Sequence, residues 1–276
     1  MTYRVRNGLA VHAVLLLLSV ATVLPMYWML RTSLMSTLEI YQFPPVWVPE
    51  VFKWSNYARV LDSVPFGRYF ANTFVIIVPV LFGTVLTSSL AAFAFARLDF
   101  PLRNFWFTLV VMTMLLPGAV TLIPTFVLFS KLGLVNTFYP LIVPAFFGGG
   151  AFNIFLLRQF LLTIPRELDE SAYIDGAGFF RIYASIILPL IKPALVVVAL
   201  FTFIGVWNDF LGQLIYLGDE KLFTVSLGLY QFRGAYTTDW SLVMSAATIL
   251  VAPAVVVFLI GQKYFVEGLT MTGIKG

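Results

Sequence analysis

The densest side-chain chemistry in the sequence lies between Arg166 and Arg181, where Glu167, Asp169, Glu170 and Asp175 stand against two arginines. Pro165 precedes the run, and Glu167, Asp169 and Glu170 fall in what would be a first helical turn, where the dipole suits acids. Ala172 and Gly176 lie four apart, so such a helix carries one nearly bare stripe that admits another backbone. A solvated acidic turn is the plain reading. An acidic knob with a bare stripe is better explained as a part inserted into a basic cleft on another protein. A second polar group, Asn208-Asp209 behind Trp207, ends a long apolar run. Other chemistries are missing. The chain has no Cys, which removes disulfides, thiolate zinc sites and Cys nucleophiles. Its one histidine, His12, makes a histidine-rich metal site implausible and reads as a plain residue at the start of an apolar run. No G-x-x-x-x-G-K-[ST] phosphate loop, no G-x-S-x-G and no histidine-based triad is present.

The elements that must position these groups are apolar. Of 276 residues, 60% are apolar and 11% charged, against roughly 45–50% and about 25% in soluble domains. Mean hydropathy is +0.94, and 28 Phe, 12 Tyr and 6 Trp oppose disorder. The expectation is an all-α integral membrane protein, one transmembrane domain over residues 1–276. A crossing helix needs about 20 apolar residues, and six stretches qualify: Leu9–Leu30, Tyr69–Ala96, Phe105–Ser130, Pro140–Leu162, Ile186–Leu211 and Leu242–Tyr264. The first resembles a secretory signal behind Arg4 and Arg6, but it runs on past a usual apolar core without a cleavage site, so an uncleaved span is expected. With the amino terminus inside, ten basic residues fall on inner segments and seven on outer ones. That mild excess places both termini on the cytoplasmic side and the acidic loop between spans four and five on the same side. The loop departs from the basic character usual there.

Pro79, Pro117-Gly118, Pro124, Gly148-Gly149-Gly150 and Pro253 interrupt the spans. Such breaks survive where neighbours or a cavity satisfy the freed backbone groups. They fit ordinary bundle packing or a path lined by bent helices. Outside, Phe43–Pro49 is a proline-rigid aromatic stretch suited to the interface, and Thr224–Phe232 is too short to cross. The latter is expected to lie flat as a plug or to contact a partner, with Arg233, Tyr236 and Trp240 following it. No internal repeat is evident, which weakens a single-chain transporter of two similar halves.

Glu170-Ser171-Ala172, then Gly176, then Ile186, Leu188 and Pro189, resemble the EAA loop of binding-protein-dependent ABC importer permeases, with Ser171 where that family usually has Ala. The resemblance covers nearly the whole chain and is closest to the maltose-type (carbohydrate) subfamily. Ala91–Pro101 (AAFAFARLDFP), Trp207-Asn208-Asp209-Phe210 and Glu267-Gly268-Leu269-Thr270 are similar to that group's segments. The ending Met271–Gly276 departs from its usual shorter form.

The resemblance implies a transport subunit, not an enzyme, in a bacterial or archaeal plasma membrane. Its partners would be two ATPase subunits, a second permease expected to be a different chain, an external solute-binding protein and the lipid bilayer, with no nucleic acid. The chain itself would bind no cofactor; ATP and Mg would sit on the ATPase subunits. The loop would act as a lever between ATPase and bundle. Glu170 would make a charge-assisted contact, Ala172 and Gly176 would let the helix sit deep, and Pro189 would set the angle of the fifth span. Asn208 and Asp209 would hydrogen-bond sugar hydroxyls or hold an outer gate, unless Asp209 is merely solvated; Trp207 would stack on a sugar or anchor at the interface. A sugar or oligosaccharide is expected as solute. A permease for glycerol phosphate or another polar organic solute is the alternative, disfavoured because a phosphate would favour Arg or Lys facing the path and none in the spans is evident in that role. A secondary transporter working alone is a further one, and it would need more intramembrane charge.

Overall fold

A computed structural model describes residues 2–232 and 239–273, with side chains described for residues 11–232 and 239–263. Arg233, Tyr236, the Glu267–Thr270 side chains and the last three residues lie outside that range. Among the described residues every regular element is helical. In chain order they are α1 (Thr2–Ser33), α2 (Thr37–Ile40), α3 (Ser55–Ser63), α4 (Phe66–Arg97), α5 (Arg103–Met112), α6 (Gly118–Lys131), α7 (Tyr139–Ile142) and α8 (Ala151–Leu162). They continue with α9 (Glu167–Ile174), α10 (Phe179–Ile182), α11 (Leu188–Leu190), α12 (Lys192–Asn208), α13 (Leu211–Tyr216), α14 (Val225–Tyr230) and α15 (Trp240–Gly273).

Four helical stretches are long and apolar enough to cross a membrane: Val11–Ser33, Phe66–Arg97, Tyr139–Leu162 and Trp240–Lys263. The third and fifth expected spans are bent pairs instead. Arg103–Leu115 meets Gly118–Lys131 at 99°, and Phe179–Leu190 meets Lys192–Asn208 at 77°. Six spans result if each pair is one crossing. Each arm of the first pair is about 20 Å long, short of the roughly 30 Å hydrocarbon layer. The physical cause of that bend is Pro117, which sits extended at φ −60°, ψ 135° and forces Leu116 extended at ψ 119°. Pro79, Pro124 and Pro253, by contrast, are carried inside continuous helices. Gly148, Gly149 and Gly150 all take positive φ, which breaks the fourth span between Phe146 and Ala151.

The chain divides into two compact units, Met1–Phe66 with Gly228–Pro253 and Gly67–Leu227 with Ala254–Gly276. In the first unit α1 is exposed over residues 11–28 and becomes buried only at Arg31, Thr32 and Ser33. There the Asn56 amide donates to the Ser33 and Met35 carbonyls at 2.9 and 3.0 Å, and Ser245 Oγ donates to Ser33 O at 3.0 Å. Ser36 and Glu39 form a capping box on α2. Trp47, from the proline-rigid stretch, meets Trp28 edge to face at 5.8 Å, and its carbonyl accepts the Tyr27 hydroxyl.

In the second unit one apolar cluster lies around α9. It joins Ala92, Phe93 and Ala96 of α4, Leu157, Phe160 and Leu161 of α8, Ala172 of α9, and Ile182, Tyr183, Ile187, Ile191, Ala194 and Val198 leading through α12. Small residues make the approach of the helices close. A Cβ on Gly149 would come within 2.5 Å of Thr84 O, so the turn of glycines rests on the bare backbone of α4.

Candidate functional site

The acidic run folds as expected into a short helix, α9, with Glu167, Asp169 and Glu170 in its first turn. Its faces divide differently from the sequence reading. Ala172, 8% exposed, belongs to the chain's own core, and Asp169 is buried beside it. The bare stripe is therefore not presented whole to a partner, because the core of α4 and α8 already occupies its Ala172 end. The outward face carries Glu167, Glu170, Ser171 and Asp175 together with Leu168, Tyr173 and Ile174. Ile174 is 87% exposed, and Phe180, just beyond, 82%.

Gly176 serves the local backbone. It has φ +80°, and its N–H donates to Tyr173 O at 3.0 Å while Ala177 N–H reaches back to Ala172 O at 2.9 Å. This is the Schellman arrangement that closes a helix with a left-handed residue. A Cβ there would meet nothing within 4 Å.

Behind α9, α10 passes into a π-helical turn, Tyr183–Ile187. Tyr183 and Ser89 hydroxyls share a hydrogen bond at 2.7 Å, and Ile187 is buried. Ile186 and Leu188 pack against the same core. The 77° bend that follows falls at Ile191, between Pro189 and Pro193, so the prolines flank the angle at which α12 departs.

Four arginines gather where α4 ends. Arg97 Nε lies 3.0 Å from Asp169 Oδ2, with the two side chains 4% and 11% exposed, and Arg97 Nη2 donates to Ile164 O at 2.9 Å. Arg166 Nη2 reaches the other way to Ala96 O at 3.2 Å. Arg158 Nε donates to Phe95 O at 3.3 Å, its guanidinium stacked 4.0 Å over Phe107. Arg103 donates to Leu98 O at 3.0 Å and to Asp99 at 2.8 Å. Burial holds the Asp169 carboxyl above the usual carboxylate range, outweighing the Arg97 and Arg166 charges that pull it down. Phe93, Arg97, Arg166, Asp169, Glu170, Tyr173 and Ile182 line a cavity of about 170 Å³ at this junction. Sequence reasoning missed this cluster and the exposed Ile174 and Phe180. The available signal was Arg97 itself, an arginine in a run of small apolar residues that demands an acceptor when buried.

The second expected group lies at the far end of α12, a helix of 17 residues or about 25 Å that departs after the 77° bend. Trp207 is wholly buried, 0% exposed, against Phe203, Phe70 and Phe74 at centroid distances of 5.5, 5.8 and 6.0 Å. It is core, neither a sugar platform nor an interface anchor, because aromatic neighbours cover its ring. Asn208 is exposed, with its amide donating to Ile204 O at 3.0 Å. Asp209 accepts the Gly212 N–H at 3.0 Å, where α12 gives way to an extended residue. The first part of the Thr224–Phe232 segment packs against α4. Asn72 of α4 donates to the Lys221 and Phe223 carbonyls at 2.8 and 2.9 Å, Val225 N–H donates to Thr73 Oγ1 at 3.1 Å, and Thr224, Val225 and Leu227 are buried. Among the described residues no group of three or more His, Asp or Glu is placed to hold a metal.

Comparison with known proteins gives a consistent picture. The family model described as binding-protein-dependent transport system inner membrane component matches residues 83–270. The chain is 34% identical over 271 residues to the probable ABC transporter permease protein YurM of Bacillus subtilis (strain 168), covering 97% of this chain and 88% of that one. It is 35% identical over 276 residues to the sn-glycerol-3-phosphate transport system permease protein UgpE of Rhizobium meliloti (strain 1021), covering 96% and 97%. A chain in the crystal structure of a bacterial ABC transporter involved in import of the acidic polysaccharide alginate shares the fold, with TM-score 0.82, 24% identity and coverage of 94% and 97%.

Proposed function

Because the chain belongs to the family of binding-protein-dependent transport system inner membrane components, and is a permease subunit of an ABC importer and not an enzyme, we propose that α9 is its ATPase-docking element. The observation that carries this reading is the outward face of α9. Exposed carboxylates at Glu167, Glu170 and Asp175 lie on the same short stretch as the exposed apolar Ile174 and Phe180, a mixture suited to a basic, apolar-floored groove. Two such grooves, one on each ATPase subunit, would take this loop and its counterpart on a second permease. ATP and Mg belong to those subunits. The termini and the loop share the cytoplasmic side, and an external solute-binding protein delivers the solute to the opposite one.

The solute we propose is a sugar or oligosaccharide, supported by the maltose-type segments Ala91–Pro101 and Trp207–Phe210. Asn208 and Asp209, set at the end of α12, are proposed as polar groups of an outer gate. Glycerol phosphate is the second reading, favoured by the 35% identity to a glycerol-3-phosphate permease.

The test is Glu170→Lys in the assembled transporter. Reversing a charge at a rim meant for a basic groove is expected to weaken ATPase co-purification and solute uptake by about tenfold or more, with membrane insertion at wild-type level. Normal uptake at normal expression would remove Glu170 from docking.

A further inference from the structure

The arginine cluster at the end of α4 has features that packing alone does not require. The last four carbonyls of a helix lack partners within it, and here Phe95 O and Ala96 O are met by guanidinium groups from Arg158 and Arg166. Arg166 begins the α9 turn, so one bond runs from the coupling helix to α4. A second link runs the other way, from Arg97 at the tip of α4 to Asp169 within α9 and to Ile164 just before it. Meanwhile the apolar grip on α9 is small, since Ala172 is its one buried apolar side chain. Apolar contact is non-directional and resists sliding poorly, whereas the Arg166–Ala96 and Arg97–Ile164 charge-assisted hydrogen bonds fix distance and angle, and the buried Arg97–Asp169 ion pair holds the two charges together. An eight-residue helix held by one alanine would slip under load. Crossed arginines tie it to the end of α4.

We propose that Arg97, Arg166 and Asp169 are positioning residues that lock α9 to the inner end of α4, so that a displacement imposed on α9 arrives at the second span directly. This rests on the reading of α9 as the ATPase-docking element. The consequence is a route for the stroke. It enters a 32-residue helix at its tip and need not pass through the π-helical turn and the 77° bend that separate α9 from α12.

The experiment uses the assembled transporter in reconstituted membranes and reads three quantities: ATPase retained on purification, binding-protein-stimulated ATP hydrolysis, and solute moved per ATP hydrolysed. Asp169→Asn keeps the shape and removes the charge. It is expected to retain ATPase and hydrolysis while solute per ATP falls about tenfold, within the usual range of coupling between sites. A second variant, Arg97→Cys with Asp169→Cys, exploits a chain that has no other Cys. It is expected to show the same fall, to recover when a bifunctional methanethiosulfonate bridges the two thiols, and to lose the gain on reduction. A merely structural pair would not give a ratio that follows the bridge. An unchanged ratio in Asp169→Asn, or no recovery in the bridged pair, would overturn the lock. Should Asp169→Asn fail to fold, the bridged pair decides alone. Failure of the wild-type chain to retain an ATPase would instead overturn the docking reading.

Discussion

Replacing Gly176 separates two reasons for its presence. Its φ of +80° closes the α9 Schellman motif, while the space around a built Cβ is open to 4 Å. The penalty for a side chain is therefore conformational, about 1–2 kcal/mol for an ordinary L-residue in the left-handed region. Since 1.4 kcal/mol is a factor of ten, Gly176→Ala is expected to open the end of α9 roughly fivefold to thirtyfold more often. Gly176→Leu should cost the chain by itself about the same, and Gly176→Asn distinctly less, because asparagine tolerates this region. A bare stripe alone would make alanine harmless and leucine blocking; the backbone angle makes both costly. Two assays divide the effects. Hydrogen exchange at the Ala177 amide, which donates to Ala172 O at 2.9 Å, reads the motif itself. Titration of ATPase onto the reconstituted permease reads docking, where any excess loss for leucine over alanine measures how near the groove comes. If Gly176→Ala exchanges and assembles like the wild type, the backbone argument fails.

Trp207→Ala should lower the thermal midpoint in detergent on the order of 10 °C, from about 3–5 kcal/mol for an emptied aromatic core site; an unchanged midpoint with weakened solute affinity would return Trp207 to the path. Glu39 is held below the ordinary glutamate range, first by the Ser36 N–H at 2.8 Å and then by the Ser36 hydroxyl at 2.7 Å. The stability this adds to the α2 turn is present above the unfolded glutamate value near 4.5 and is lost as pH falls through the lowered folded one. Amide exchange across residues 36–40 should speed up over that window in the wild type and show no such step in Glu39→Gln. For the outer segment, Tyr230→Ala is expected to reduce binding-protein stimulation of ATP hydrolysis several-fold while leaving basal hydrolysis intact. Tyr230 is 52% exposed, whereas the buried Leu227 makes deletion of Leu227–Gln231 a test of folding instead. Undiminished stimulation in Tyr230→Ala would set the contact aside.

Much of the architecture was legible because it depends on composition and spacing. Long apolar runs fixed where helices lie, and Glu167, Asp169 and Glu170 after Pro165 announced α9. What could not be read was which way a residue faces. Trp207 sits beside Asn208 in the chain, yet one is wholly buried and the other exposed, a choice made by Phe70 and Phe74 from far earlier in the sequence. Ala172 and Gly176 are four apart and suggested a single stripe, but neighbours claimed one and backbone geometry the other. The same limit hid Arg97 and Asp169, 72 positions apart in the numbering and joined only by folding. Pro117 and Pro79 show it for backbone: both are prolines in apolar runs, and only the first bends its helix sharply.

The glycine break in the fourth span bears on how the protein is made. Before it stand only α7 and the 3-10 turn Val143–Phe146, and after it the 12 residues of α8, about 18 Å of helix. Neither piece spans lipid alone, and the amides between them would stand exposed in hydrocarbon. Their relief comes from α4, whose Thr87 donates to Ala145 O at 3.1 Å and whose backbone takes Gly149 in contact. α4 is therefore a docking surface that must be in the bilayer before the fourth span leaves the insertion machinery. Synthesis from the amino terminus supplies that order, and a permuted chain that delivered residues 139–162 first would be expected to stall at the interface.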